Sequence, residues 1–124
     1  MSSPTKVFNE QLIRFFNELI SSFPEERDIK SAVELIKFAK LSNPKMIVDI
    51  FYEHVYKSLN EPIKREDAQY IITYARTKAE KEFNEISPAL SIFDKYWENM
   101  GNDSQKSIWN WLKVLCVLCE RARV

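Results

Sequence analysis

The chain of 124 residues has one glycine, Gly101, one histidine, His54, two cysteines, and no excess of either charge. Each shortage excludes something. Globular proteins ordinarily hold about 7% glycine, so most turns that need a left-handed residue are ruled out. No strand-like alternation stands in their place, and the breaks in the pattern are marked by proline and asparagine. Two cysteines and one histidine fall short of the four ligands of a structural zinc site. Charge balances at 18 basic and 18 acidic residues, and the halves carry −1 and +1. The basic excess usual for a nucleic-acid binder is absent, although a local patch stays open. Neither a glycine-rich phosphate loop nor an HExxH metal motif is present. The longest apolar window is about 12 residues, broken by Asn110 and Lys113, against the ~20 needed to cross a bilayer. The opening MSSPTK lacks the basic-then-apolar pattern of a signal peptide. A soluble chain in a reducing compartment is expected, and both cysteines in an apolar stretch suit that compartment.

What is present is a core. The hydrophobic share is 45%, with eight phenylalanines, five tyrosines and three tryptophans. One domain is expected, able to bury roughly two thirds of its unfolded surface. Residues 1–5 read as a frayed tail. A first helix from about Lys6 to Ser22 places Phe8, Leu12, Phe15, Phe16, Leu19 and Phe23 on one face at a period of 3.6. Pro24-Glu25-Glu26 opens a second, with proline in the first turn and acids at the positive dipole end. Its buried side is Ile29, Ala32, Val33, Leu35, Ile36 and Ala39, up to about Leu41. Asn43-Pro44 combines an N-cap acceptor with a first-turn proline and starts a third helix to about Leu59, with Tyr56 nearly opposite its inner face.

A loop over Asn60 to Lys64 contains Pro62. The fourth helix starts near Arg65 or Glu66, with Ala68, Ile71, Ile72, Ala75, Ala79 and Phe83 inward. Arg76/Glu80, Lys78/Glu82 and Lys81/Glu85 are spaced for i,i+4 pairs. Ser87-Pro88 opens a fifth helix with Leu90, Phe93, Tyr96, Trp97 and Met100 on one side. Gly101 ends it as a left-handed C-terminal residue. Asn102, Asp103 or Ser104 caps the last helix. Trp111, Leu118, Leu115, Ile108, Cys119, Leu112, Cys116 and Trp109 cover an arc of roughly 180° at 100° per residue, which Val114 widens to about 220°. A surface helix carries a stripe of little more than 100°, so this helix is expected to be covered on more than one side. The fold class is all-α, a single-domain bundle of about six helices with a buried C-terminal helix.

The run from Phe23 through Pro24-Glu25-Glu26-Arg27-Asp28-Ile29-Lys30, the Asn43-Pro44 cap and Ile108-Trp109-Asn110-Trp111-Leu112 resemble small helical proteins of nucleocytoplasmic large DNA viruses of algae and other protists. Those proteins open with a Phe/Leu-rich helix like Phe8 to Leu19, and the likeness covers most of the chain. It implies a viral origin, in the host cytoplasm or the virion, and no particular activity.

The candidate sites are few. Cys116-x-x-Cys119 has the spacing of a redox or metal pair. However, redox motifs activate their thiolate at a helix N-terminus, and this pair lies near a C-terminus. It reads as two small buried hydrophobes. His54 reads as a core or rim histidine, since no nucleophile and orienting group are spaced around it. Glu25, Glu26 and Asp28 offer an acid pair or cation site, yet the helix dipole accounts for them. Lys30, Lys37, Lys40 and Lys45 offer a phosphate-facing stripe, interleaved with Glu26 and Glu34 into a solvated face. Tyr52, Tyr56, Tyr70 and Tyr74 are the candidate interaction surface, because tyrosine joins an apolar body to a polar tip. Tyr56 and Tyr70 project away from the inner faces, with Tyr52 and Tyr74 at the edges. The expectation is a non-enzymatic interaction or structural protein of a large DNA virus, in the particle or its assembly, without cofactor or metal. Its partner is another protein or a second copy. A nucleic-acid-associated accessory role is the alternative, and it requires a contiguous Lys/Arg face.

Overall fold

The computed structural model describes residues 3–81 and 87–123, apart from the side chains of residues 79–81. Six helices are described: α1 (Pro4–Ser22), α2 (Arg27–Ser42), α3 (residues 44–64), α4 (Ala68–Lys81), α5 (Ser87–Tyr96) and α6 (Asn102–Ala122). Of the described residues 89% are helical, and none of them is in a strand. α1 packs against α2, α3 and α6. Phe8, Leu12, Phe15, Phe16 and Leu19 are all buried, as their spacing demands, and Phe23 packs against the core at its edge. α6 lies on α1 and α3, while α4 and α5 pair with each other and join the bundle through α3 and α2.

Several boundaries differ from the sequence reading, each for a local reason. α1 starts at Pro4, inside the expected tail, because the Ser3 hydroxyl accepts from the Lys6 N–H at 3.1 Å. Pro24 lies outside α2. It follows Phe23 in a turn closed by the Glu26 N–H on the Phe23 carbonyl. There its fixed φ suits the second residue of a reverse turn. Asn43 precedes α3 as expected, but its side chain caps nothing. Its own N–H closes α2 on the Ala39 carbonyl.

α3 runs through the expected loop. It comprises an α segment Pro44–Phe51, a π turn Tyr52–Tyr56 and a second α segment Lys57–Lys64. The Lys57 N–H reaches the Tyr52 carbonyl, one residue further back than in an α-helix. Pro62 sits within the last turns. Proline inside a helix costs about 3 kcal/mol, and here the burial of Leu59, Pro62 and Ile63 offsets it. The helix then ends in a Schellman turn. The Asp67 N–H reaches the Pro62 carbonyl and the Glu66 N–H reaches that of Ile63. Glu66, with φ 55°, holds the left-handed position where glycine is usual. α4 begins later than expected, at Ala68, with the Asp67 carboxylate accepting from the Tyr70 N–H.

The one glycine is elsewhere. Gly101 has φ −68° and ψ 161°, an extended conformation open to any residue. It is the N-cap of α6, so the expected left-handed ending of α5 is corrected. So is the side-chain cap by Asn102, Asp103 or Ser104, since the helix starts at Asn102 with no such bond. A 3-10 turn, Trp97–Asn99, ends the preceding helix instead. Ala79, Phe83 and the partners Glu80, Glu82 and Glu85 of the expected ion pairs lie outside the described side chains. Arg76 meets Asp94 of α5 at 2.5 Å.

Candidate interaction surfaces

Buried aromatic packing holds α6 in place. Trp109 sits edge-on to Trp97 at 5.1 Å and tilted to Phe93 at 5.7 Å. Trp111 stacks on Phe15 at 5.8 Å and donates its indole N–H to Glu18 at 2.6 Å. Ile108, Leu112, Leu115, Cys116 and Cys119 are buried. The arc stops short of the expected 220°, because Val114 is 45% exposed, as is Val117 beyond it; α1 and α3 cover one side of the helix. Both thiols are free. Burial pushes Cys116 up to about 12 and Cys119 up to about 11, which keeps them protonated and unreactive near neutral pH. Among the described residues no group of three His, Cys, Asp or Glu side chains is placed to hold a metal ion.

The acidic candidates separate. Glu26 is drawn onto α5, accepting from the Tyr96 hydroxyl at 2.5 Å and from Lys95 at 3.1 Å. Those two bonds, the Tyr96 hydroxyl's first, hold its carboxyl below the ordinary range despite some burial. The same bond raises the Tyr96 phenol. Glu25 and Asp28 stay exposed. His54 is half-buried in the π turn, and its carbonyl accepts from the Tyr74 hydroxyl at 2.5 Å.

The π turn also decides the tyrosines. It shifts the phase of the residues after it, so Tyr56 does not point away from the bundle. Its ring is half-buried and stacks on Tyr52 at 5.5 Å. Its hydroxyl donates to Glu120 of α6 at 2.5 Å, which raises the phenol to about 12. Arg123 lies 3.7 Å over the Tyr52 ring and pairs with Asp49. Tyr52, Tyr56 and Tyr70 line one open groove of about 550 Å³ with Arg65 and Pro62. Tyr74 is turned to a second groove beside it, also lined by Tyr70. Of the four, Tyr70 alone is classed as exposed. The structure therefore brings three of the four to one groove, with two of the four hydroxyls already bonded within the chain.

The basic stripe divides as well. Lys37 lies 3.8 Å from Glu34. Lys40 and Lys45 converge with Lys6 on a groove of about 490 Å³ at the starts of α1 and α3, bordered by Asn9, Leu41 and Pro44. Asn9, fully buried, donates to the Pro44 carbonyl at 3.0 Å and so ties α1 to the start of α3.

The surface that sequence reasoning missed is the outer face of α2. Leu35, placed on the buried side above, is 55% exposed. Phe38 and Leu41, never singled out, are 71% and 87% exposed. At 100° per residue Phe38 points almost directly away from the buried line of Ile29, Ala32, Val33, Ile36 and Ala39. Leu35 and Leu41 flank it by about 60° on either side. The signal was available: α2, like α6, carries apolar residues round more than half its circumference.

Comparison with protein-family models, with curated proteins and with solved structures found no match for this chain. No described helix is long and apolar enough to cross a membrane.

Proposed function

We propose that this chain is a non-enzymatic protein-interaction module, acting as a structural or assembly protein of a large DNA virus. The observation that carries the interaction reading is the uncovered triad Leu35, Phe38 and Leu41. A monomer gains nothing from three large apolar side chains on one outward stripe, and such a patch marks an interaction site. The tyrosine groove adds a second, more polar surface next to α3. The viral setting rests on the resemblance of the Phe23-to-Lys30 turn, the Asn43-Pro44 start and the Ile108-to-Leu112 run. Buried thiols of raised pKa and a dispersed acidic cluster favour binding over catalysis.

One observation favours the alternative of a nucleic-acid-associated role. Lys6, Lys40 and Lys45 surround a groove and form no ion pair with a described residue, beside the positive ends of two helices. If those lysines neutralise three phosphates, the log–log salt slope is about −3.

The deciding experiment is recovery of tagged wild type and of Leu35→Ser/Phe38→Ser/Leu41→Ser from infected cells, with and without nuclease. Partners retained at high salt, insensitive to nuclease and lost from the triple variant support the interaction reading. Nuclease-sensitive recovery that survives the triple change overturns it in favour of the alternative.

A further inference from the structure

Among the described residues, the buried side-chain atom left without a hydrogen-bond partner is Oδ1 of Asn9. Asn9 is fully buried and borders the groove of about 490 Å³ at the starts of α1 and α3. The amide is fixed in orientation, because Nδ2 donates to the Pro44 carbonyl at 3.0 Å. Turning it over would set oxygen against oxygen. Buried polar atoms are almost always bonded, and an acceptor left dry is strongly unfavourable. Asn9 therefore calls for a donor, and no described side chain supplies one.

The rest of the groove calls for an anion. Lys6, Lys40 and Lys45 border it and form no ion pair with a described residue. No acidic residue lines it. The Ser3 hydroxyl is already spent on the Lys6 N–H of α1, but the Asn43 side chain caps nothing at the start of α3. The positive end of that helix is therefore open to an anion at the same place.

The two demands together select a chemistry. Sulfate, a carboxylate and a phosphodiester all answer the lysines, and none of them brings a proton for Asn9. A phosphate that carries an O–H, on its own phosphorus or on a nearby carbon, answers both. Its charged oxygens accept from the ammonium groups, and its hydroxyl donates to Oδ1. We propose that this groove binds a small phosphate compound, with the anion held by Lys6, Lys40 and Lys45 and an O–H of the ligand donated to Asn9. The proposal is independent of the interaction reading, and it competes with the nucleic-acid reading for the same lysines.

The test is titration of the full chain at constant ionic strength, followed in amide nitrogen–proton spectra that include the Asn9 side-chain amide. At about pH 8 hydrogen phosphate and sulfate both carry close to two negative charges, so the O–H is the difference between them. The probes are inorganic phosphate, glycerol phosphate, sulfate and dimethyl phosphate, each up to about 10 mM. Inorganic phosphate or glycerol phosphate should shift the Asn9 side-chain amide and the Thr5, Lys6 and Lys45 signals, and bind several-fold more tightly than sulfate. Dimethyl phosphate should bind most weakly. The tighter of the first two shows whether the O–H sits on phosphorus or on carbon, and either order supports the proposal. Lys6→Gln and Lys45→Gln change exposed residues, so both should keep the helical circular dichroism while each weakens phosphate several-fold. Lys37→Gln, whose lysine pairs with Glu34 outside the groove, should leave binding unchanged. No shift with any probe, sulfate bound as tightly as phosphate, or an equal loss in Lys37→Gln overturns the proposal. A single-stranded oligonucleotide that shifts the same signals at lower concentration than either phosphate overturns it in favour of the nucleic-acid reading. The interaction reading is decided separately, by what the triple variant of α2 retains.

Discussion

α6 and α2 carry the same kind of sequence pattern and meet opposite fates. Both spread apolar residues round more than half of the helix. In α6 the surplus goes inward, with Trp109 set between Trp97 and Phe93 and Trp111 stacked on Phe15. Only Val114 and Val117 remain outside. In α2 the surplus stays bare, since α1, α3 and α5 all approach from the buried line. An over-wide apolar arc therefore measures how much surface a helix can bury, and leaves open whether the same chain buries it. A helix whose extra residues find internal partners serves stability. One whose extra residues find none is available to another molecule.

The comparison breaks most easily at its inner side. Leu115→Ala removes a fully buried side chain and should cost about 2–5 kcal/mol in urea unfolding. A cost under about 1 kcal/mol would show that α6 is less embedded than described. Cys116→Ala and Cys119→Ala should cost less, about 1 kcal/mol each, and leave association unchanged. A folded Cys119→Ala protein that lost its partner would return the pair to the list of sites.

A smaller effect is expected at the start of α2, where Glu26 ties that helix to α5. Its carboxyl is held below the usual range in the folded state. Its contribution is therefore present above the unfolded value near 4.5 and is lost as pH falls through the lower folded value. Tyr96→Phe, which removes the main cause, should flatten that acid-side loss relative to wild type in denaturation curves measured below about pH 4.5. An unchanged acid limb would show that the Glu26–Tyr96 bond carries no stability.

At the start of α6, Gly101 is extended, and an added Cβ would meet no atom within 4 Å. Gly101→Ser should raise stability by about 0.5–1 kcal/mol, from a stiffer unfolded chain and a new cap. A loss on the same measurement would place Gly101 in a role that the backbone does not reveal. Smallest of all on stability is Phe38→Ser, within about 0.5 kcal/mol, although its effect on association should be the largest of the set. The opposed sizes of those two effects are the signature of an outward-facing residue.

How legible all this was in the sequence depends on which force decided each feature. The all-helical class, the six elements and the inner faces of α1 and α6 followed from period and composition, because burial of an apolar stripe dominates them. The Asn43-Pro44 start was legible in position. Features set by one residue's competition with tertiary packing were not. Pro62 reads as a break, yet its own burial keeps α3 going. Glu66 gives no hint that it takes a left-handed turn, and Gly101 gives a false one. The π turn carries no signal that period analysis can detect, and it moved Tyr56 from an outward surface to a contact with α6. Leu35 looked buried because a helical wheel counts apolar neighbours and cannot see which side of α2 its partners occupy. The candidate tyrosines were found as residues, while the larger apolar surface was overlooked.

The central claim, that the bare side of α2 is a contact surface, is tested most directly by recovery of tagged wild type and Phe38→Ser at high salt, with Tyr70→Ser beside them. The wild type and Tyr70→Ser should retain a protein that Phe38→Ser, still folded by circular dichroism, loses. Equal recovery by wild type and Phe38→Ser, or loss in Tyr70→Ser alone, would contradict it.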